Sequence, residues 1–374
     1  MTQSNEQKPA LSDLMAPLAG KSILITGGTG SFGSAFVRAV LEHGKPRKVI
    51  VFSRDEQKHH AMQKQFHDPR IRFFVGDVRD LARLRLALRG VNYVIHAAAM
   101  KHVDLCEYNP LEAINTNISG TTNLIQAALD AHVEKVVGVS TDKAVAPINL
   151  YGATKLCMEK LLTAANSYSG DLATRFCSVR YGNVMGSNGS VIPLFLQQRE
   201  QGRLTITDAR MTRFWIEMQD AVALVLEAIG RMRGGEIFIP KLQAATVEQV
   251  ANTLAPGVPQ AVIGIRPGEK LHECLMGPEE CRRAKDLGHL LVVEPEHVAW
   301  SRDNSERGVN LPEEFNYTSD RSELRLADND VALLLKNHVE WARPVPPASE
   351  RLPISGAQPV RLPTEPNASH TGGN

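Results

Sequence analysis

The chain has no excess charge of either sign: 42 Lys and Arg stand against 41 Asp and Glu in 374 residues, a formal net charge of +1. Without a bulk field to attract polyanions, the composition argues against a general nucleic-acid binder and against electrostatic attachment to a membrane. Aromatic residues are scarce, at 5%, which disfavours a single-strand binder built on stacked rings. The five cysteines, Cys106, Cys157, Cys177, Cys274 and Cys281, are odd in number and lack the paired two-residue spacings of a zinc site. They read as reduced thiols, with Cys157 as a small core residue, and no metal is expected. No run of ~18 apolar residues could cross a bilayer. Residues 1–20 interleave Glu6, Lys8 and Asp13 without the apolar stretch of a signal peptide. The expectation is a cytoplasmic protein with a small-molecule partner and neither nucleic acid nor membrane. Its 43% of hydrophobic residues suffices for a large core.

The chain divides by pattern. Residues 1–19 form an N-terminal extension. From 20 to 184, short β-branched runs (Ser22–Thr26, Lys48–Phe52, Ile71–Val75, Tyr93–His96, Lys135–Ser140, Ala173–Arg180) alternate with stretches of helical spacing (Phe32–Glu42, Leu81–Leu88, Leu111–His132, Tyr151–Ser167). Continuous apolar runs of this length suit strands buried on both faces, and the alternation predicts an α/β fold, a Rossmann-type doubly wound parallel sheet. Residues 185–330 are less regular, with a helix near Asp220–Arg231 and a strand at Glu236–Pro240, and are read as a mainly substrate-binding portion. Residues 344–374 hold seven prolines and read as a disordered tail. The sequon at Asn367 carries no weight without a secretory signal, and the basic cluster Arg79–Arg89 reads as a solvated helix face.

Gly27-Gly28-Thr29-Gly30-Ser31-Phe32-Gly33 follows the first strand and opens the first helix. Glycines at that junction allow a tight turn, close approach of a pyrophosphate to the helix N-terminus and close helix–strand packing, so the segment predicts a dinucleotide site. The second strand ends in Ser53-Arg54-Asp55 with Lys58 one turn on. Arg54 and Lys58 favour the 2′-phosphate of NADP over NAD, with Asp55 as the counterweight. Asp77 and Val78, after the third strand, are placed to meet the adenine. Ala97 and Ala98, after the fourth, are small enough to let the cofactor lie close.

Ser140-Thr141-Asp142-Lys143 ends the fifth strand, and Tyr151 and Lys155 follow one helical turn apart on one face. An ammonium beside a phenol stabilises phenolate, giving a base that takes a proton from an alcohol while hydride leaves the same carbon. His96 and His102 read as structural.

The TGGTGSFG and YxxxK elements resemble the extended short-chain dehydrogenase/reductase superfamily. More narrowly, AMKHVDLCEYNP (99–110), STDKAVAPINLYGATKLC (140–157), RYGNVMGSNGSVIP (180–193), ITDARMTRFW (206–215) and GIRPGEKLHE (264–273) are similar to the soluble, inverting UDP-N-acetylglucosamine 4,6-dehydratases of the PseB type, which open the pseudaminic acid pathway. The resemblance covers about residues 18–320. It implies NADP as a retained cofactor, UDP-N-acetylglucosamine as substrate and a homo-oligomer, by family a hexamer. It implies Lys143 as the base at sugar carbon 5, which requires a depressed pKa, and Asp142 as the acid for the hydroxyl leaving carbon 6. Thr141 joins them in the catalytic set, with Tyr151 and Lys155. It also places Lys101 near sugar and cofactor, Asn183 and Val184 along substrate and nicotinamide, and Arg213, Arg266 and Glu269 on the uridine diphosphate, where guanidinium forks suit phosphate.

The chain departs from the pattern at Asp104, where a proline commonly follows KHV. It departs again within EFNYTSDRSELRL (314–326), where Arg321, Ser322 and Arg325-Leu326 replace the usual asparagines and Trp-Leu pair. The motifs do not show which face of carbon 5 is reprotonated, so a retaining dehydratase stays open, as does a 4-epimerase. A non-catalytic NADP-binding regulator would typically lose the Tyr or the Lys, and both are present.

Overall fold

The computed structural model describes residues 9–170, 172–187, 189–296 and 308–339. The proline-rich tail and the sequon lie outside the described residues.

Six parallel strands form the centre: β1 (Ser22–Thr26), β2 (Lys48–Ser53), β3 (Ile71–Val75), β4 (Tyr93–His96), β5 (Lys135–Val139) and β6 (Arg175–Val179), in the order β3-β2-β1-β4-β5-β6. The apolar runs SILIT and YVIH are buried along their whole length, because helices cover both faces of the sheet. Helices Ser31–His43 and Met218–Arg231 pack one face, with Phe36, Val40, Val225 and Ile229 in one core layer. Helices Leu81–Ala87, Gly120–Asp130 and Leu150–Tyr168 pack the other, with Leu84, Leu124 and Leu162 in a second layer. The order reverses between β1 and β4, so a crevice opens there at the strand C-termini.

The chain after β6 is shared between the sheet and a smaller layer. It supplies β7 (Asn183–Val184), β8 (Leu204–Ile206), β9 (Thr212–Ile216), β10 (Ile237–Pro240), β11 (Ala244–Thr246), β12 (Gln260–Val262), β13 (Cys274–Met276), β14 (Ala284–Asp286), β15 (Leu290–Val293), β16 (Val309–Asn310) and β17 (Tyr317–Thr318). β10 extends the sheet parallel to β6, and β15, β14 and β16 complete that edge antiparallel. The set β11-β9-β7 and the pairs β12-β8 and β13-β17 stand apart from it, over a third core cluster that includes Phe195, Leu204, Trp215 and Leu254. So helix Met218–Arg231 and four strands of the 185–330 stretch belong to the main sheet. At the other end of the chain, Leu14, Met15 and Leu18 of the N-terminal extension are buried in the first core layer.

Three local differences matter for the site. Strand β5 ends at Val139, one residue short of the predicted run, which leaves Ser140 in the crevice. The predicted helix 111–132 is interrupted by a π turn over Asn115–Ser119 between helices Pro110–Ile114 and Gly120–Asp130. Cys157 is exposed, not in the core: two residues past buried Lys155, the helical rotation carries it to the outer face. Helix Leu150–Tyr168 lies close on β5 because Gly138 has no side chain; a methyl there would meet Leu162.

Candidate active site

The crevice is a cleft of about 670 Å³ along the C-terminal ends of β1, β2, β4 and β5. Its floor is glycine by necessity. Gly27 has φ +67°, and a Cβ there would lie 2.9 Å from the Ala98 nitrogen; a Cβ on Gly33 would lie 2.5 Å from the Gly28 Cα. Gly30 caps helix Ser31–His43 without a side-chain bond, so the helix N-terminus faces the cleft bare, as anion binding requires. Thr29, Ser31, Phe32, Ser53, Arg54, Asp55, Lys58, Asp77, Val78, Ala97, Lys101, Ser140, Thr141, Tyr151, Lys155 and Val184 line the same cleft. The buried Ser140 Oγ, in this lining, has no hydrogen-bond partner among the described residues. A narrow glycine floor, a bare helix N-terminus and an orphaned polar atom together fit a bound dinucleotide.

At the inner end, helix Leu150–Tyr168 presents the chemistry. Asn149 caps it, accepting from the Gly152 amide (2.7 Å), and donates through Nδ2 to the Gly268 carbonyl (2.7 Å). Gly152 abuts the Lys143 backbone, where a methyl group would clash. Lys155 is 3% exposed, and its Nζ donates to the Val139 carbonyl (2.6 Å). Burial pulls its pKa down to about 8, opposed by Glu159. Burial pushes the Tyr151 phenol up to about 12, with Lys143 pulling the other way and the Thr141 hydroxyl assisting it. The charge that acts on the Tyr151 phenol here is that of Lys143, while Lys155 is held on the Val139 carbonyl.

Beside Tyr151, Asp142 is fully buried. Its Oδ1 accepts from the Thr141 hydroxyl (2.9 Å) and the Lys143 ammonium (3.0 Å), and its Oδ2 has no partner among the described residues. Lys143 Nζ also lies 3.2 Å from Glu273 Oε1. Burial would lower the Lys143 pKa, but Asp142 and Glu273 outweigh it and hold the amine above its ordinary range. The depressed pKa expected of a lysine base is thus absent from the ligand-free chain. The second carboxylate comes from 130 residues downstream in sequence and left no local signal.

The comparisons bear on this constellation. The polysaccharide biosynthesis protein family matches residues 23–295. The "UDP-N-acetylglucosamine 4,6-dehydratase (inverting)" of Campylobacter jejuni subsp. jejuni serotype O:2 is 46% identical over 329 residues, covering 86% of this chain and 98% of the relative. The chain belongs to the inverting UDP-N-acetylglucosamine 4,6-dehydratase family. A "UDP-glucose 4-epimerase" of Rickettsia rickettsii is also 46% identical, over 275 residues, covering 71% of this chain and 81% of that one. Among solved structures, Pen from Bacillus thuringiensis superposes with a TM-score of 0.79 at 39% identity, covering 86% of this chain and 98% of its own. The dTDP-glucose 4,6-dehydratase DesIV from Streptomyces venezuelae, solved with NAD and TYD bound, gives 0.61 at 29% identity, covering 67% and 86%.

Within this dehydratase-family chain several expected ligand contacts are taken up by the protein itself. Asp55 caps helix Glu56–Gln63, accepting from the Lys58 amide (3.0 Å), and lies 3.4 Å from Lys58 Nζ. Asp77 accepts from the Arg79 guanidinium (2.7 and 3.0 Å) and amide; burial would raise its pKa, but Arg79, with Arg54 at longer range, holds it below. Asp77 thus lines the cleft with its carboxylate oriented by Arg79. Arg213 is buried; it donates to the Thr212 carbonyl (2.8 Å) and stands 3.7 Å from Glu273 Oε1. Arg266 forks onto Glu269 (2.6 and 3.0 Å). Neither arginine lines the cleft, and neither do Asn183, Glu269, Asp142 or Lys143, which lie behind or beside its wall.

Other supporting residues carried no individual signal. Asn117, in the π turn, accepts from the Met100 amide and donates to the Met100 carbonyl and the Thr154 hydroxyl. That ties the loop bearing Lys101 to the helix of Tyr151. A π turn frees such a side chain because it breaks the regular helical ladder. His59 joins Ser53 and Thr29 in a chain of contacts of 2.9 Å each. His96 lies between Thr26 (2.8 Å) and Thr121 (3.1 Å), and burial, aided by Lys155, drops its pKa to about 3, so it is neutral.

Proposed function

We propose that the chain removes water from UDP-N-acetylglucosamine to give a 4-keto-6-deoxy sugar nucleotide with inversion at carbon 5, as the name of its Campylobacter relative describes. The observation that carries this reading is Asp142 and Lys143 in contact at 3.0 Å next to Thr141 and Tyr151, which line the cleft. A 4-epimerase needs the cleft and Tyr151 but has no use for a buried acid next to an amine.

A nicotinamide bound in the cleft supplies hydride acceptance and return. Gly27, Gly30 and Ser31 would hold its pyrophosphate, and Arg54, exposed at the cleft rim, favours NADP, since Asp55 is already committed to capping a helix. The chain's own residues handle protons. Tyr151 exchanges the proton of the carbon 4 hydroxyl, with Thr141 bonded to it. Asp142, raised by burial, keeps a proton for the hydroxyl that leaves carbon 6. Lys143 takes the proton of carbon 5, for which its own proton must first pass to a carboxylate; Asp142 Oδ1 and Glu273 Oε1 are both within reach. Lys101, at the cleft rim, is placed to meet the sugar. Arg213 acts from behind, through Glu273, and Arg266 and Glu269 reach the uridine diphosphate once their mutual pair opens.

The product fits the entry step of pseudaminic acid-type nucleotide sugar synthesis. A homo-oligomer is in keeping with Leu105, Tyr108 and Leu111, which the helices over 103–114 leave exposed. The test is incubation of the purified chain with UDP-N-acetylglucosamine and no added cofactor. A product lighter by one water, with deuterium entering at carbon 5 in heavy water, supports the reading, and proton coupling constants report inversion. Unchanged mass with a changed sugar would replace it with a 4-epimerase. Mass analysis of the nucleotide released on denaturation distinguishes NADP from NAD.

A further inference from the structure

Two carboxylates from distant parts of the chain meet on Lys143. Asp142 is its neighbour in sequence; Glu273 arrives from the segment leading into β13. Glu273 is 2% exposed. Its amide donates to the Ser319 hydroxyl (2.9 Å), and its carbonyl accepts from the Ser319 amide (2.9 Å). Its Oε1 serves Lys143 at 3.2 Å and Arg213 at 3.7 Å, while Oε2 is buried with no hydrogen-bond partner among the described residues. An ion pair serving only stability would engage both oxygens.

Two buried carboxylates around one amine cannot both ionise without cost. Glu273 has a second cation, Arg213, with Lys270 contributing at longer range; Asp142 has the Thr141 hydroxyl instead. Burial and the Glu273 charge raise the Asp142 carboxyl. Burial would raise Glu273 as well, but Lys143 and Arg213 hold it low. The two carboxyls are therefore biased in opposite directions, Asp142 upward and Glu273 downward.

Resting on the dehydratase reading above, we infer that Glu273 is a positioning residue: it fixes the Lys143 amine beside Asp142 and sets its own charge against the Asp142 carboxyl.

The test uses the full chain in two arms. In the ligand-free protein, infrared spectra with carboxyl-labelled aspartate follow the Asp142 proton, which Asp142→Asn identifies by deleting its band. Glu273→Gln removes the repelling charge, so the Asp142 band should titrate at lower pH than in the wild type. An unmoved titration overturns the inference. In turnover, Glu273→Gln should lower kcat about 10- to 100-fold with KM changed less than about threefold. Glu273→Asp, which keeps the charge, should recover part of the loss. Wild-type kcat in Glu273→Gln, or equal losses in the two variants, overturns the inference. A wild-type chain that releases no water from UDP-N-acetylglucosamine overturns the dehydratase reading instead, and the infrared arm still decides what Glu273 does to the Asp142 proton.

Discussion

Arg180 and Lys143 each bind two carboxylates inside the protein, and the two clusters are finished differently. Arg180 is fully buried and uses all five of its N–H donors: two on Glu159 (2.6 and 3.0 Å), two on Glu280 (2.8 and 2.9 Å) and one on the Leu275 carbonyl (2.9 Å). No oxygen of either glutamate is left without a partner. Lys143 keeps 23% of its side chain exposed, and its partners Asp142 and Glu273 each retain one buried oxygen without a bond. The complete cluster bolts helix Leu150–Tyr168, through Glu159, to the ends of β6 and β13. The incomplete one lies behind Thr141 and Tyr151 of the cleft lining, with its two orphaned oxygens buried. Buried charge is structural when satisfied and chemical when it is not.

The largest effects should separate the two clusters by kind. Lys143→Met, Asp142→Asn and Tyr151→Phe should each lower kcat about 10²- to 10⁴-fold while leaving the circular dichroism spectrum intact. Arg180→Met should instead unfold the chain more easily. It leaves two carboxylates buried without a cation, a loss of about 3–5 kcal/mol measurable by urea denaturation, with the folded fraction still turning over. Adding Glu159→Gln and Glu280→Gln to Arg180→Met should restore much of that stability, because the uncompensated charges go with it. Full turnover in Lys143→Met, or unchanged stability in Arg180→Met, would dissolve the distinction.

A smaller effect tests the cost of the incomplete cluster. The Asp142 carboxyl is raised, chiefly by burial, above its unfolded value of ~3.9. The unfolded carboxyl therefore ionises more readily than the buried one, a cost to stability that is absent below the unfolded value and develops as pH rises through the folded one. Asp142→Asn should stabilise the inactive protein by about 1 kcal/mol at pH 7, a gain that disappears by roughly pH 4. Thermal melts at the two pH values measure it. The smallest effect joins the clusters: Glu159 raises Lys155 against burial, so Glu159→Gln should move the Lys155 titration below about 8, read by nuclear magnetic resonance of the labelled amine.

The central sheet was legible because its strands are short apolar runs bounded by glycine and polar residues, and β1 and β4 begin and end as read. The cofactor floor was legible for a related reason: glycines at a strand–helix junction have few other uses. Arg180 stood inside a recognised segment, yet nothing in its neighbourhood showed that Glu159 and Glu280 would reach it. Glu273 likewise closed a recognised segment without a role of its own. Arg213, Arg266 and Asp77 were read as ligand contacts, and the fold supplies each with a protein partner, since a charged side chain near an opposite charge pairs whether or not a ligand is present.

Local order alone determined the parallel sheet, the glycine-floored cleft and the Tyr151, Lys155, Asp142 and Lys143 set, because each depends on neighbours within a few residues. Tertiary structure decided protonation. The states of Lys143, Asp142, Tyr151 and Lys155 follow from burial and from charges brought in by β13, β9 and the β5 carbonyl edge, and electrostatic energy depends on distance in space, which the order of residues does not specify.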